Sequence, residues 1–132
     1  NYERDQAAVL IGHPTGGNVG LAIGPAMARR ICFLHPVGLE KSVSVDLVEV
    51  AEAINSDPEG KGPTLWVVPG PLFTEIEALD VLTGVEAIPA GAGGVGGAEG
   101  AVWLALFGTK QELDLAQNVI SSVRGEPTFT SA

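Results

Sequence analysis

The chain has 132 residues, 45% hydrophobic and 17% charged, a composition that indicates one globular domain and excludes a disordered chain. Seven basic residues against sixteen acidic ones give a formal net charge of -9, which argues against the basic surfaces that bind nucleic acids or anionic membranes. A single cysteine, Cys32, excludes an internal disulfide framework and favours a reducing cytoplasm.

The N-terminal half predicts few elements. It opens on a polar segment with neither an apolar leader nor an initiator Met, so we expect no signal peptide and a natural N-terminus further upstream. Residues 7–11 and 31–34 have the composition of strands, and His35-Pro36 closes the second. Asp46 is placed to cap a helix, and residues 56–63 predict an exposed loop. The apolar face of that helix comprises Leu47, Val50, Ala51 and Ile54.

The C-terminal half alternates clear strands and helices. Residues 64–68 predict a strand, the helical spacing of apolar residues over 72–82 predicts a helix ended by Gly84, and residues 85–88 predict the next strand. Residues 101–107 are almost continuously apolar, so we expect that strand to be buried on both faces or at an interface. The two strand tryptophans are expected in the core or at an interface: Trp66 and Trp103.

The last helix has the strongest start signal in the chain. Thr109-Lys110-Gln111-Glu112 forms a capping box, in which the Thr109 hydroxyl and the Glu112 carboxylate each accept a backbone N–H. Gly125 and Pro127 end the helix. Its predicted buried stripe consists of Leu113, Ala116, Val119, Ile120 and Val123.

Residues 90–100 are almost entirely glycine and alanine. Gly91-Ala92-Gly93-Gly94-Val95-Gly96 matches G-x-G-x-x-G, but the next predicted element is a strand and not the helix that a dinucleotide site requires. Two interpretations stay open. The segment is either a simple hairpin connection, or a loop where identical backbones approach each other about a symmetry axis and leave an opening lined by N–H and C=O groups.

No group of residues in the sequence indicates catalysis, a cofactor or a metal. In Cys32-x-x-His35 a three-residue offset on a strand points the two side chains to opposite faces, so we expect a buried structural cysteine. Glu77 and Asp80 share one helix face, which is expected to be solvated. We therefore predict a protein that is not an enzyme.

The element order and small-residue placement over residues 64–123 resemble a known family. The stretches concerned are Leu65-Trp66-Val67-Val68-Pro69-Gly70-Pro71, Glu77-Ala78-Leu79-Asp80, Gly84-Val85-Glu86, and Ala101 to Gly108 running into Thr109-Lys110-Gln111-Glu112-Leu113. They resemble the bacterial microcompartment shell domain, above all the circularly permuted versions of ethanolamine- and propanediol-utilisation compartments. Leu10-Ile11-Gly12-His13-Pro14 is also similar to permuted members, whereas residues 15–62 match nothing in the family.

The resemblance implies a single domain over residues 1–132, with a permuted or extended part at 1–62 and the recognisable core at 63–125. The implied fold is α/β of the ferredoxin-like α+β kind, an antiparallel sheet with helices on one face. Such subunits form hexamers or trimer-like rings with an axial pore, open or plugged, for small metabolites. The rings tile with other shell proteins in the cytoplasm around encapsulated enzymes. The implied pore loop consists of Gly91, Ala92, Gly93, Gly94, Val95, Gly96 and Gly97.

Two other functions stay open from the sequence. One is a ferredoxin-like regulatory oligomer similar to PII or ACT domains, whose Gly-rich loop would hold an anionic effector through backbone N–H groups. The other is a small enzyme that uses Cys32 or the helix carboxylates.

Overall fold

A computed structural model describes residues 2–3 and 6–127 and gives a mixed α and β protein, as the sequence predicted. Its elements form two compact units, Asn1–Thr74 and Glu75–Ala132. The first unit contains β1 (Tyr2–Glu3), β2 (Gln6–Ile11), α1 (Gly17–Ala28), β3 (His35–Pro36), α2 (Leu47–Asn55), β4 (Thr64–Val68) and β5 (Leu72–Phe73). The second contains α3 (Glu75–Thr83), β6 (Glu86–Ala92), β7 (Val102–Phe107) and α4 (Lys110–Ser122). The assignment of residues 1–132 to one domain stays a prediction.

The first unit is built on an antiparallel sheet in the order β1-β2-β4. Strand alternation sends successive side chains to opposite faces, and each face has its own core. On one face Ala8 and Leu65 pack with Leu47 of α2, and on the other Ala7 and Val68 pack with Ile23 of α1. Helices therefore cover both faces of this sheet, whereas the resemblance implied helices on one face only.

Helix α2 forms as predicted, because its start is fixed locally. The Asp46 carboxylate accepts hydrogen bonds from the backbone N–H groups of Val48 and Glu49, at 2.8 and 3.1 Å, and so partners two donors that a helix start leaves open. Leu47 and Ala51 are buried against the sheet. The loop at 56–63 is exposed throughout, as expected.

Helix α1 was not predicted from the sequence. Three of its residues are glycines and Pro25 lies inside it, and its N-terminus, after Gly16 in the left-handed conformation, has no side-chain cap. Each of these features lowers intrinsic helix propensity. The helix is stabilised by tertiary packing, since Ile23 is buried and Val19 packs against the same cluster.

The strand predicted over residues 31–34 is wrong. The chain instead pairs at His35–Pro36 with Leu72–Phe73 in a short parallel contact, so the start of the predicted 72–82 helix is a strand and α3 begins only at Glu75. Periodicity cannot reveal such a pair, because its two halves lie far apart in sequence. Cys32 lies outside any strand and is exposed, so the expectation of a buried cysteine is also wrong.

The second unit packs both of its helices on one face of the β6–β7 hairpin. Its buried apolar cluster consists of Leu79 of α3, Ala116 of α4, Val85 directly before β6, and Ala87 in β6. Gly84, at φ +80°, donates its N–H to Asp80 O at 2.8 Å and ends α3 as predicted. No helix among the described residues is long and apolar enough to cross a membrane.

Helix α4 begins at the predicted capping box. Thr109 N–H donates to the Glu112 carboxylate at 2.6 Å, and Glu112 N–H donates to the Thr109 hydroxyl at 3.4 Å. The predicted buried stripe of this helix is wrong, however. Only Ala116 is buried, and Leu113, Ile120 and Val123 are exposed, because a two-stranded hairpin is too narrow to cover the whole apolar face of the helix.

Candidate functional site

The glycine-rich segment forms the tip of the β6–β7 hairpin. The two strands pair from Glu86 opposite Phe107 to Ala92 opposite Val102, with a register shift between Pro89 and Gly91. Gly91 and Ala92 of the predicted pore loop therefore belong to β6, and the rest of that loop forms the turn. The segment leads into strand β7 and not into a helix, in agreement with the prediction that G-x-G-x-x-G is not a dinucleotide fingerprint here.

Most glycines of the tip are required by the hairpin itself. Gly93, Gly96 and Gly97 have φ values of +93°, +65° and +99°, which L side chains rarely adopt. A Cβ on Gly94 would lie 2.5 Å from the carbonyl oxygen of Ala98, too close for any side chain. The simple-hairpin interpretation thus explains these four residues within one copy.

Gly91 is different, because the hairpin does not require it. Its φ is not positive, and a Cβ there would meet only the Trp103 ring, at 4.0 Å. A strand glycine that packing within the chain does not explain marks a bulge or a place where another backbone approaches closely. Gly91 follows the register shift at Pro89, so the bulge accounts for part of this pattern and a second backbone is the other explanation.

The tip carries one carboxylate, which the loop itself binds. Glu99 accepts the backbone N–H of Gly97 at 3.2 Å. Hydrogen bonds from its own backbone N–H and from Gly97 hold the pKa of the Glu99 carboxyl below its ordinary value. The turn therefore carries a negative charge and uses one of its N–H groups internally, which argues against an anion held by this loop.

The hairpin face turned away from the helices is apolar and exposed. Leu104 and Leu106 pack into the core, so their β7 neighbours point the opposite way. We name this surface the outer hairpin face; Trp103 is 66% exposed there and Phe107 54%. Its four apolar residues are Ile88, Trp103, Ala105 and Phe107. The expectation that β7 is buried on both faces is wrong within one copy of the chain. The alternative expectation, that β7 lies at an interface with another chain, stays a prediction.

The other side of the hairpin contains an apolar groove between the two helices. It has a volume of about 540 Å³, and among the described residues that line it Glu75, at the start of α3, is the only charged one. We name it the α3–α4 groove. Its principal apolar residues are Ala78, Leu82, Leu104, Val119, Ile120 and Val123. Three of them belong to the stripe of α4 that the sequence predicted to be buried.

The remaining candidates from the sequence do not come together as a site. His35 Nε2 lies 2.6 Å from the carbonyl oxygen of Pro69 and its ring stacks on Phe33 at 6.1 Å, a structural role near exposed Cys32. Glu77 and Asp80 are both exposed on α3, as expected for a solvated face. Within the described part of the chain, no group of three or more His, Cys, Asp or Glu side chains is arranged to hold a metal ion.

A cleft beside the start of α1 was not predicted. It measures about 680 Å³ and its lining includes His13, Lys61 and Thr64, all of them exposed. His13 Nδ1 already lies 2.9 Å from the Thr15 hydroxyl. None of the polar side chains that the structure describes in the lining of this cleft is buried and left for a ligand to pair.

Comparisons with protein-family models, with curated proteins and with solved structures found no match to this chain.

Proposed function

We propose that the chain is a structural subunit that assembles with copies of itself, and that the assembly is a shell of the bacterial microcompartment kind. In this proposal the fold is a circularly permuted, ferredoxin-like shell domain, and the segment Gly91–Gly97 surrounds the axis of a ring. Other shell proteins and encapsulated enzymes are its partners. The resemblance over residues 64–123 supports the specific form of the proposal.

The outer hairpin face is the observation that carries self-assembly. Given the exposed fractions of 66% for Trp103 and 54% for Phe107, the two rings leave on the order of 250 Å² in water. Removing that area from water is worth about 6 kcal/mol before the costs of association. The two rings lie on the same face of β7 with Ala105 between them, and with Ile88 they form an exposed apolar patch of the kind that marks interaction sites.

The hairpin tip supports the axial position of the loop. The tip is exposed, and Val95 is 89% exposed at its end. Gly91 lacks a side chain at a position where the single subunit has room for one. Close approach of a neighbouring backbone explains this glycine together with the bulge at Pro89, and an opening lined by main-chain groups and by Glu99 follows from the same arrangement.

The alternative, a small-effector sensor, makes a different prediction. A sensor should be stabilised by about 2.7 kcal/mol when a nucleotide or amino acid is present at a hundredfold excess over its dissociation constant. A shell subunit should not respond in the same thermal-shift screen. The internally bound Glu99 carboxylate at the tip favours the shell subunit.

Native mass spectrometry and light scattering of the purified chain test the proposal. We expect a cyclic oligomer at micromolar concentration, visible as a ring by negative-stain microscopy. The variant Trp103→Ser should dissociate it, whereas Val81→Ser, which changes an equally exposed apolar residue on α3, should not. A monomer at micromolar concentration would end the proposal.

A further inference from the structure

We infer that copies of this chain meet head to tail, with the outer hairpin face of one copy seated in the α3–α4 groove of the next. The inference rests on the proposed function, because it names the surfaces through which self-assembly occurs. The occupant of the groove is a second copy of the chain.

The two surfaces lie on opposite faces of the same two strands. Trp103 and Ala105 point to the outer hairpin face, while Val102 and Leu104 line the groove on the side of the helices. A unit cannot cover its own groove with its own outer face. A symmetric pairing of like surfaces would cover one of them and leave the other in water, whereas a head-to-tail contact covers both. Such contacts form a ring where the rotation between neighbouring copies closes, and an open filament where it does not.

The chemistry of the two surfaces matches. The indole N–H of Trp103 already donates to the carbonyl oxygen of Gly93 at 3.3 Å, so the ring can enter an apolar site without leaving a polar atom unpaired. The groove offers leucine, isoleucine and valine side chains, among them Leu82 at 62% and Val123 at 55% exposure. Its volume of about 540 Å³ lies within the ~300–1,000 Å³ of sites that enclose ligands much larger than one side chain.

The distribution of charge favours the same contact. The chain carries a net charge of -9, so two copies repel each other least where their surfaces carry few charges. Among the described residues, each of the two surfaces has one charged residue: Glu86, the first residue of β6, on the outer hairpin face, and Glu75, the first residue of α3, in the groove. The exposed aromatic and aliphatic side chains contribute on the order of 400 Å² from each partner. Each contact then buries on the order of 800 Å² in total, below the ~1,200–2,000 Å² of a standard interface, so the assembly depends on each copy making two such contacts, one through each surface.

Complementation between two variants tests the head-to-tail contact. The outer-face variant combines Trp103→Ser with Phe107→Ser, and the groove variant combines Leu82→Glu with Val123→Glu. All four positions are more than half exposed, and circular dichroism checks that both variants fold. Each variant alone should be monomeric, with association at least about a hundredfold weaker than wild type. Mixed in equal amounts, they should form a one-to-one heterodimer, because one retains a groove and the other retains an outer face.

Native mass spectrometry separates the outcomes. The head-to-tail contact is wrong if the wild type is an oligomer but the mixture of the two variants stays monomeric. It is also wrong if the groove variant assembles like the wild type. Self-assembly itself would stand in both cases. A monomeric wild type would instead overturn the proposed function.

If a variant fails to fold, a cross-link decides: in a Cys32→Ser background, copies with Ala105→Cys should form disulfides with copies carrying Val119→Cys. Absence of that cross-link in the assembled protein would contradict the inference. Added salt should strengthen wild-type assembly, since it screens repulsion between acidic copies.

Discussion

The side chain of Asn55 holds strand β4 in place, and its removal should be costly. Its amide N–H donates to the carbonyl oxygen of Leu65 at 2.8 Å, and its amide oxygen accepts the Leu65 N–H at 3.0 Å. The side chain thus acts as a strand partner for a residue that is only 3% exposed. Each bond is worth about 1–1.5 kcal/mol, and Asn55→Ala leaves both Leu65 groups unpaired, so the expected loss is about 2–3 kcal/mol.

Urea unfolding of the first unit measures this loss. In a Trp103→Phe background the fluorescence reports Trp66, which is the neighbour of Leu65 on β4. With a slope of about 1–1.5 kcal/mol per molar urea for a unit of this size, the midpoint should fall by about 1.5–3 M. Asn118→Ala is the matched control, because it makes the same substitution at an exposed position of helix α4. A loss within about 0.5 kcal/mol of the control would show that water replaces the amide and that Asn55 does not position β4.

Three further predictions concern the second unit. Thr109→Ala should destabilise it by about 1 kcal/mol in urea unfolding, since the capping hydroxyl is lost, and an unchanged midpoint would contradict that role. The Thr109 N–H and hydroxyl hold the pKa of the Glu112 carboxyl below its ordinary value. The stabilisation of the fold by the Glu112 carboxylate is therefore complete above about pH 5 and is lost as the pH falls through the folded-state pKa. The stability difference between wild type and Glu112→Gln should therefore shrink in acid, and a difference that grows would refute the sign. Gly94→Ala should cost about 1–3 kcal/mol because of the clash with Ala98, whereas Gly91→Ala should leave the thermal unfolding of a dissociated subunit unchanged or raise it slightly.

Elements with a local signal were predicted correctly. The caps at Asp46 and Thr109 and the stop at Gly84 each act within a few residues, so their pattern in the sequence is sufficient. The strand at 64–68 is confirmed at the same bounds because its β-rich run is closed by Pro69-Gly70.

The sequence predicted which segment forms the candidate site, but it did not predict the geometry of that segment. The glycine run predicted a special loop. The structure shows that the turn requires Gly93, Gly94, Gly96 and Gly97 but does not require Gly91. The α3–α4 groove was missed, because an apolar stripe on a helix predicts burial and gives no information on the width of the sheet that is to cover it. The signal that could have revealed the groove is that the α4 stripe has more apolar positions than a two-stranded hairpin can cover.

The sequence by itself determined the α/β class, the acidic charge and the boundaries set by caps and turns, since these follow from composition and short-range hydrogen bonds. Only the tertiary structure decided that a glycine-rich segment folds as α1 and that residues 35–36 pair with 72–73. It alone also decided that Trp103, Phe107 and the last turns of α4 remain in water. The physical reason is that packing between residues distant in sequence determines which apolar surfaces are covered. A sequence pattern predicts that a surface is apolar but does not predict which residues pack against it.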